Sequence, residues 1–138
     1  MLEVLATQTM QLVTEDDIML VRRRVKELAQ QRKFDTFAIA AITTATSELA
    51  RNVIVHGGGG GATIDVVSDG VRSGIRIVFV DSGPGIADVA RVLSGGYSTA
   101  RSMGLGLSGS KRLVDEFELD SKVGGEGTRV RVTKWKRF

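Results

Sequence analysis

Apolar and polar residues alternate along this chain with two different periods, and the change of period separates predicted strands from predicted helices. Where apolar residues recur at every second position, rich in Val and Ile, we predict strands at about 2–13, 62–67, 73–80, 118–123 and 128–134. Where they recur at helical spacing, we predict helices at about 14–33, 35–55, 88–93 and 107–116.

The predicted helix ends carry recognisable capping residues. Thr14 precedes three acidic residues at the start of the first helix, and Asp35 is placed to cap the second. The five glycines 57–61 end the second helix, and we interpret them as a flexible connector. Asp69 and Gly70 predict a hairpin turn between the second and third strands.

The order of elements lacks the regular strand and helix alternation of a doubly wound fold. It indicates an α/β protein, a two-layer α/β sandwich with one mixed, mostly antiparallel sheet and helices mainly on one face. The 138 residues contain no linker or repeat, so we expect a single domain over residues 1–138.

Composition narrows the function classes. With 42% hydrophobic and 25% charged residues, and no apolar run of about 20, the chain is typical of a cytoplasmic globular protein that does not bind a membrane. Zero cysteines exclude disulfides, cysteine-bound zinc and thiol catalysis, and one histidine excludes a multi-histidine metal site. The net charge is +3, and we interpret the basic cluster 134–138 as a solvated strand end, not a nucleic-acid site.

The predicted third strand ends on a carboxylate that glycines follow. Asp81 comes directly after the apolar positions, and Gly83 and Gly85 flank the only proline. An ionised carboxylate only accepts hydrogen bonds, so Asp81 suits a ligand amino group, and the glycines let a flat ring approach the backbone. An ordinary polar turn uses the same residue types, so the segment alone leaves both interpretations open.

Two polar residues share one face of the predicted second helix. Glu48 and Asn52 are four positions apart, and a carboxylate and an amide that are buried together need polar partners. Mg²⁺ with bound phosphates would satisfy them, because Mg²⁺ takes one or two protein ligands beside substrate phosphates. Glu48 would then orient or deprotonate an attacking hydroxyl. A solvent-facing polar pair is the alternative.

The segment 104–109 matches the pattern G-x-G-x-x-G. A dinucleotide fold is rejected because that pattern must directly follow a strand, whereas here the loop 95–103 precedes it. What remains is a set of glycines leading into a helix whose free N–H groups can hold phosphates. A simple hinge between loop and helix is the alternative.

Taken in order, four motifs resemble the N, G1, G2 and G3 boxes of the GHKL ATPases, the Bergerat-fold group of gyrase, Hsp90, histidine kinases and MutL. They are Glu48 with Asn52, Asp81-x-Gly-x-Gly85, Gly104-x-Gly106, and Gly127-Thr128. The resemblance spans about residues 12–135. Segments 96–99, 104–117, 125–130 and 134–135 are most similar to the small stand-alone kinases of partner-switching pathways.

This resemblance implies an ATP site with Mg²⁺. It assigns Glu48 as the catalytic residue, Asn52 as the Mg²⁺ ligand and Asp81 as the acceptor for the adenine amino group. The remaining nucleotide contacts that it implies are Gly83, Gly85 and Ile86 at the adenine, Thr128 in support, and Gly104, Leu105 and Gly106 at the phosphates.

The same resemblance implies a protein serine/threonine kinase that phosphorylates STAS-domain scaffold proteins. After release it would bind and activate a PP2C-type phosphatase. One alternative is an anti-sigma factor that sequesters a sigma factor and phosphorylates a STAS antagonist. A nucleotide-sensing module with little turnover is another, because its ATP site would contain the same residues.

Overall fold

A computed structural model describes residues 2–83, 101–121 and 127–137, and for 101–105 it describes only the backbone. The elements, in chain order, are β1 (Glu3–Leu12), α1 (Glu15–Gln31), α2 (Thr36–Val55), β2 (Gly60–Ser68), β3 (Ser73–Asp81), α3 (Arg101–Leu113), β4 (Glu116–Ser121) and β5 (Thr128–Trp135). The order of strands and helices agrees with the sequence prediction wherever the structure describes the chain.

The five strands form one sheet in the order β1-β2-β3-β5-β4, and all four pairings are antiparallel. The predicted two-layer sandwich with a mostly antiparallel sheet is confirmed, and the described strands include no parallel pair. β2 and β3 form the predicted hairpin, in which the Asp69 carboxylate accepts hydrogen bonds from the N–H groups of Val71 and Arg72 at 2.9 and 2.6 Å.

One face of the sheet packs against the helices. Alternate residues of β2, β3 and β5 point into this layer and are almost fully buried with apolar residues of α1 and α2, including Ile64, Val66, Ile77, Phe79, Val132, Val21, Val25, Ile42 and Leu49. α3 packs on α2. The C-terminal end of α2 lies close to the end of β3, where Gly57 approaches Asp81.

The predicted helix caps are present. Asp35 accepts a hydrogen bond from the N–H of Ala38 at 2.8 Å, and the Asp17 carboxylate accepts from the N–H groups of Val13 and Thr14 at 2.9 and 3.0 Å. Each cap satisfies backbone donors that have no partner within the helix. The ends of α1 and α2 are therefore set locally.

Two predicted boundaries are wrong. Gly60 and Gly61 belong to β2, not to a flexible connector, because the antiparallel pairing with β1 and β3 extends to them. α3 begins at Arg101 instead of 107, so Gly104 and Gly106 lie inside the helix where it packs on α2. The predicted helix at 88–93 and the loop residues 95–100 lie outside the described residues.

Candidate ATP site

The end of β3 positions the Asp81 side chain on the helix side of the sheet. Asp81 alternates with the exposed Val80 and lies on the same face as the buried Phe79. Its Oδ1 accepts a hydrogen bond from the N–H of Gly83 at 2.9 Å. Oδ2 accepts none from the described residues, so one carboxylate oxygen is available to a ligand donor.

Backbone atoms of three other segments lie very close to Asp81 and the end of β3. Gly57, just after α2, lies so close that a β carbon built on it would be 2.5 Å from Asp81 Oδ2. A β carbon on Gly127 would overlap the Asp81 carbonyl oxygen, and one on Gly60 would overlap the carbonyl oxygen of Val80. These close approaches require glycine, and Gly127 also has a positive φ of 84°.

Thr128 lies directly beside Asp81. The two residues are opposite each other in the β3–β5 register. The Thr128 hydroxyl shares a hydrogen bond with the Ser121 hydroxyl at 2.8 Å, and Ser121 also donates to the Gly127 carbonyl at 3.2 Å. Hydrogen bonds thus join the first residue of β5 to the last residue of β4, and they restrain the side of the site next to Asp81.

The second part of the site is the face that Glu48 and Asn52 share on α2. Gly106 of α3 lies against it: a β carbon there would be 3.3 Å from Glu48 Oε2 and 3.5 Å from Asn52 Nδ2. Glu48 is close to Arg51 at 3.6 Å, and its side chain is 44% exposed. A weak surface pair of this kind leaves the carboxylate accessible to a substrate.

Asn52 carries an unsatisfied polar group. Its Nδ2 atom is buried and finds no hydrogen-bond partner among the described residues. Buried amide groups are normally hydrogen-bonded, so an exception of this kind marks a place where a ligand, an ion or water completes the site. Glu48 and Asn52 thus share one face of α2, as their spacing predicts, and the structure places Gly106 against that face.

Both parts of the site meet at Gly57. Its N–H donates to the Asn52 carbonyl at 3.1 Å, while its α carbon contacts Asp81. The structure thus joins two predicted motifs that are separated by a strand hairpin in the sequence. The sequence did not indicate that Gly57 contacts both motifs, because a run of five glycines is equally typical of a flexible linker.

The other predicted nucleotide contacts are described only in part. Gly83 packs on Gly57, and Gly104 lies in the first turn of α3. The Leu105 side chain and all of Gly85 and Ile86 lie outside the described residues.

A cavity of about 320 Å³ opens at the same end of the sheet, but on its other face. Its lining includes Val80, Asp120 and Arg129, which point away from the helices. Asp81 and Thr128 also line this cavity, so it adjoins the site that Asp81, Glu48 and Asn52 define.

Among the described residues, no helix is long and apolar enough to cross a membrane. The same residues contain no group of three or more Asp, Glu or His side chains suited to hold a metal ion.

Comparison with known proteins identifies the family of this chain. Residues 13–134 match the family model of the histidine kinase-like ATPase domain. The serine/threonine-protein kinase RsbT of Bacillus subtilis is 44% identical over 126 residues, which cover 91% of this chain and 94% of RsbT. An anti-sigma F factor of a Thermoanaerobacter species is 35% identical over 103 residues, or 70% of each chain.

Solved structures with low sequence identity share the fold. The RsbU and RsbW domains of a Mycobacterium tuberculosis protein align with a TM-score of 0.65 at 20% identity, over 96% of this chain and 33% of that one. The SiaB–SiaC complex of Pseudomonas aeruginosa aligns with a TM-score of 0.55 at 12% identity, over 96% of this chain and 90% of the matched chain. The fold, the family match and the similarity to RsbT show that the chain belongs to the histidine kinase-like ATPase (GHKL) family. It is an RsbT-like serine/threonine protein kinase of the partner-switching type, and it uses ATP.

Proposed function

We propose that this kinase transfers the γ-phosphate of Mg²⁺-bound ATP to Ser or Thr of STAS-domain stressosome proteins, and on release binds and activates a PP2C-type phosphatase. The observation that carries the proposal is the joining of two motifs at Gly57. On one side Asp81 Oδ2 has no donor among the described residues, and on the other the buried Asn52 Nδ2 has no acceptor among them.

Adenine is proposed to bind at Asp81. Oδ1 is occupied by the Gly83 N–H, so Oδ2 is the acceptor left for the exocyclic amino group. The contact is selective because guanine has a carbonyl oxygen at that position, which cannot donate to a carboxylate. Gly83, Gly85 and Ile86 would form the wall against which the ring lies, and Thr128 would support Asp81 from β5.

The triphosphate is proposed to lie between α2 and the start of α3. The N–H groups at the start of α3 and the positive end of its helix dipole would favour phosphate oxygens, with Gly104, Leu105 and Gly106 beside them. The Asn52 oxygen would be a hard ligand for Mg²⁺, and its Nδ2, which has no partner among the described residues, would donate to a phosphate oxygen. When bound, Mg²⁺ would neutralise phosphate charge.

Glu48 is proposed as the residue that acts on the acceptor. Its exposed carboxylate can hydrogen-bond the incoming Ser or Thr hydroxyl and take its proton as the new oxygen–phosphorus bond forms. The bond between the γ-phosphorus and its bridging oxygen breaks, and ADP leaves with the bonding electrons. Such transfer depends mainly on alignment and charge stabilisation, which the rigid junction at Gly57 provides.

The partner classes come from the resemblance to switch kinases, and the 44% identity to RsbT over nearly its whole length supports them. The second candidate function is an anti-sigma factor that phosphorylates a STAS antagonist. It is favoured by the 35% identity to an anti-sigma F factor, although over a shorter part of the chain. Both functions use the same ATP site, so nucleotide chemistry does not distinguish them.

Labelled ATP and two kinds of acceptor test the proposal. We expect phosphate on Ser or Thr of a large STAS scaffold protein, dependent on Mg²⁺, and activation of a PP2C-type phosphatase by the free kinase. The matched control is Glu48→Gln, which should bind ATP without transfer. Recovery of a sigma factor from native lysate, without STAS assemblies, would instead support the anti-sigma candidate. Absence of any Ser or Thr transfer would refute both.

A further inference from the structure

We infer that Gly57 is a positioning residue for nucleotide selectivity: its bare α carbon holds the Asp81 carboxylate in the one orientation that leaves Oδ2 available to an exocyclic amino group. This inference rests on the proposed function, because it assumes that Asp81 recognises adenine. It concerns a residue outside the four motifs and assigns to it a role in choosing the base.

The first observation is steric. A β carbon built on Gly57 would lie 2.5 Å from both Cβ and Oδ2 of Asp81, distances that real β carbons do not reach. The contact with Cβ matters most, because that atom is attached to the β3 backbone and cannot swing away as a side-chain tip can. Any side chain at position 57 must therefore rotate the Asp81 carboxylate or displace the strand end.

The second observation is that the Asp81 rotamer has little freedom on its other side. Oδ1 accepts the hydrogen bond from the Gly83 N–H at 2.9 Å. Gly83 in turn packs on Gly57, since a β carbon on Gly83 would be 2.8 Å from the Gly57 α carbon. The carboxylate thus lies between the backbone of Gly57 and that of Gly83, and rotating it would break the hydrogen bond from the Gly83 N–H.

The third observation is that Gly57 is itself anchored. Its N–H donates to the Asn52 carbonyl at 3.1 Å, and the N–H of Gly59 donates to the Val53 carbonyl at 2.9 Å. The segment therefore cannot retreat from Asp81 without unwinding the end of α2. Unlike Gly58 and Gly59, Gly57 has no positive φ, so its requirement for glycine arises from contact and not from backbone conformation.

Gly57→Ala and Gly58→Ala form a matched pair for the test. The first adds a methyl group against Asp81 in an ordinary backbone conformation. The second adds one in open space, at a φ of 74° that strains the same turn. Both variants can lower stability, so melting temperature alone does not separate them. Base selectivity does, because only the first variant touches the recognising carboxylate.

The experiment is calorimetric binding of ATP and of purine riboside triphosphate, which lacks only the exocyclic amino group. For the unmodified protein we expect ATP to bind about tenfold or more tightly than the analogue, since a hydrogen bond to a charged acceptor is lost. Gly57→Ala should weaken ATP binding by about tenfold and leave analogue binding within about twofold, whereas Gly58→Ala should keep the preference for ATP.

Gly83→Ala is a second variant that can be used if Gly57→Ala does not fold. Its added methyl group would crowd the contact between Gly57 and Asp81 from the opposite side, so it should reduce the preference for ATP in the same way. Retention of the full preference in folded Gly57→Ala, or an equal loss in Gly58→Ala, would overturn the inference. An unmodified protein that binds ATP and the analogue equally would instead overturn the adenine assignment in the proposed function, and the inference with it.

Discussion

Gly106 of α3 lies against the side chain of Asn52 on α2, so that a β carbon at position 106 would be 3.5 Å from the buried Nδ2 atom. Glu48 Oε2 would be 3.3 Å from the same β carbon. The glycine therefore lets two helices approach at the point where the proposed metal ligand and the proposed catalytic carboxylate lie. Four predictions follow from this packing, from the individual site residues and from the hairpin turn.

Adding a methyl group at Gly106 should lower turnover without lowering the stability of the fold. Alanine favours helix over glycine by up to about 1 kcal/mol, so Gly106→Ala is expected to fold at least as well as the unmodified protein. The methyl group crowds Glu48 and Asn52, however, and turnover should fall roughly tenfold because alignment is disturbed. Gly109→Ala in the same helix is the control, since nothing lies within 4 Å of its β carbon. Equal turnover in the two variants would contradict this role of Gly106.

Replacing the two polar residues of α2 should affect different steps. Glu48→Gln is expected to retain ATP binding and to lose phosphate transfer by about 10²–10⁴-fold, the usual range for a general base. Asn52→Ala should abolish the part of ATP affinity that depends on Mg²⁺, measured by calorimetry with and without the ion. Glu118→Gln removes an exposed carboxylate on β4 and should change neither property. Normal turnover of Asn52→Ala at ordinary Mg²⁺ would remove the metal assignment.

Asp81→Asn should weaken ATP binding by about 10 to 100-fold, because the hydrogen bond to a charged acceptor is replaced by two donors facing each other. The fold should be retained, since an amide oxygen can still accept from the Gly83 N–H. Asp120→Asn makes the same chemical change at this end of the sheet but on the opposite face, and we expect unchanged affinity. Direct titration of ATP checks both, and undiminished binding by Asp81→Asn would refute the adenine contact.

The turn between β2 and β3 should be sensitive to acid. Hydrogen bonds from the N–H groups of Arg72 and Val71, with the Arg72 guanidinium, lower the pKa of Asp69 from 3.8 to about 2. A lowered pKa means that Asp69 stabilises the fold above pH 3.8 and that this contribution disappears as the pH falls toward 2. Asp69→Asn should therefore be less stable than the unmodified protein at pH 7 and equally stable near pH 2.

Urea unfolding at the two pH values measures this difference. A further titration at pH 7 in 1 M salt distinguishes the backbone hydrogen bonds from the exposed Arg72–Asp69 ion pair, because only the ion pair is strongly screened. Since the backbone N–H groups are the largest cause of the lowered pKa, most of the difference should survive the salt. A difference that persists at pH 2 would show that Asp69→Asn acts through the shape of the turn.

The strands, the helices and their caps could be predicted from local pattern alone. The alternation of Ile75, Ile77 and Phe79 and the capping by Asp35 depend on neighbours a few residues away, and both are present in the structure. The assignment of Glu48, Asn52, Asp81 and Thr128 to the site stays a prediction, made because their order along the chain resembles the GHKL boxes. Local pattern failed at Gly60 and at the start of α3, where pairing or packing with a distant segment decides the conformation.

The sequence by itself therefore determined the class of fold, which depends on residue type and short-range spacing, and its resemblance to the GHKL boxes indicated the use of ATP. Only the tertiary structure decided that the glycines at 57, 106 and 127 are contact residues. It places Gly57 between Asn52 and Asp81, Gly106 against Glu48 and Asn52, and Gly127 against the Asp81 backbone. A glycine leaves no pattern that tells a flexible link from a close approach, because that difference lies in the segment that packs against it.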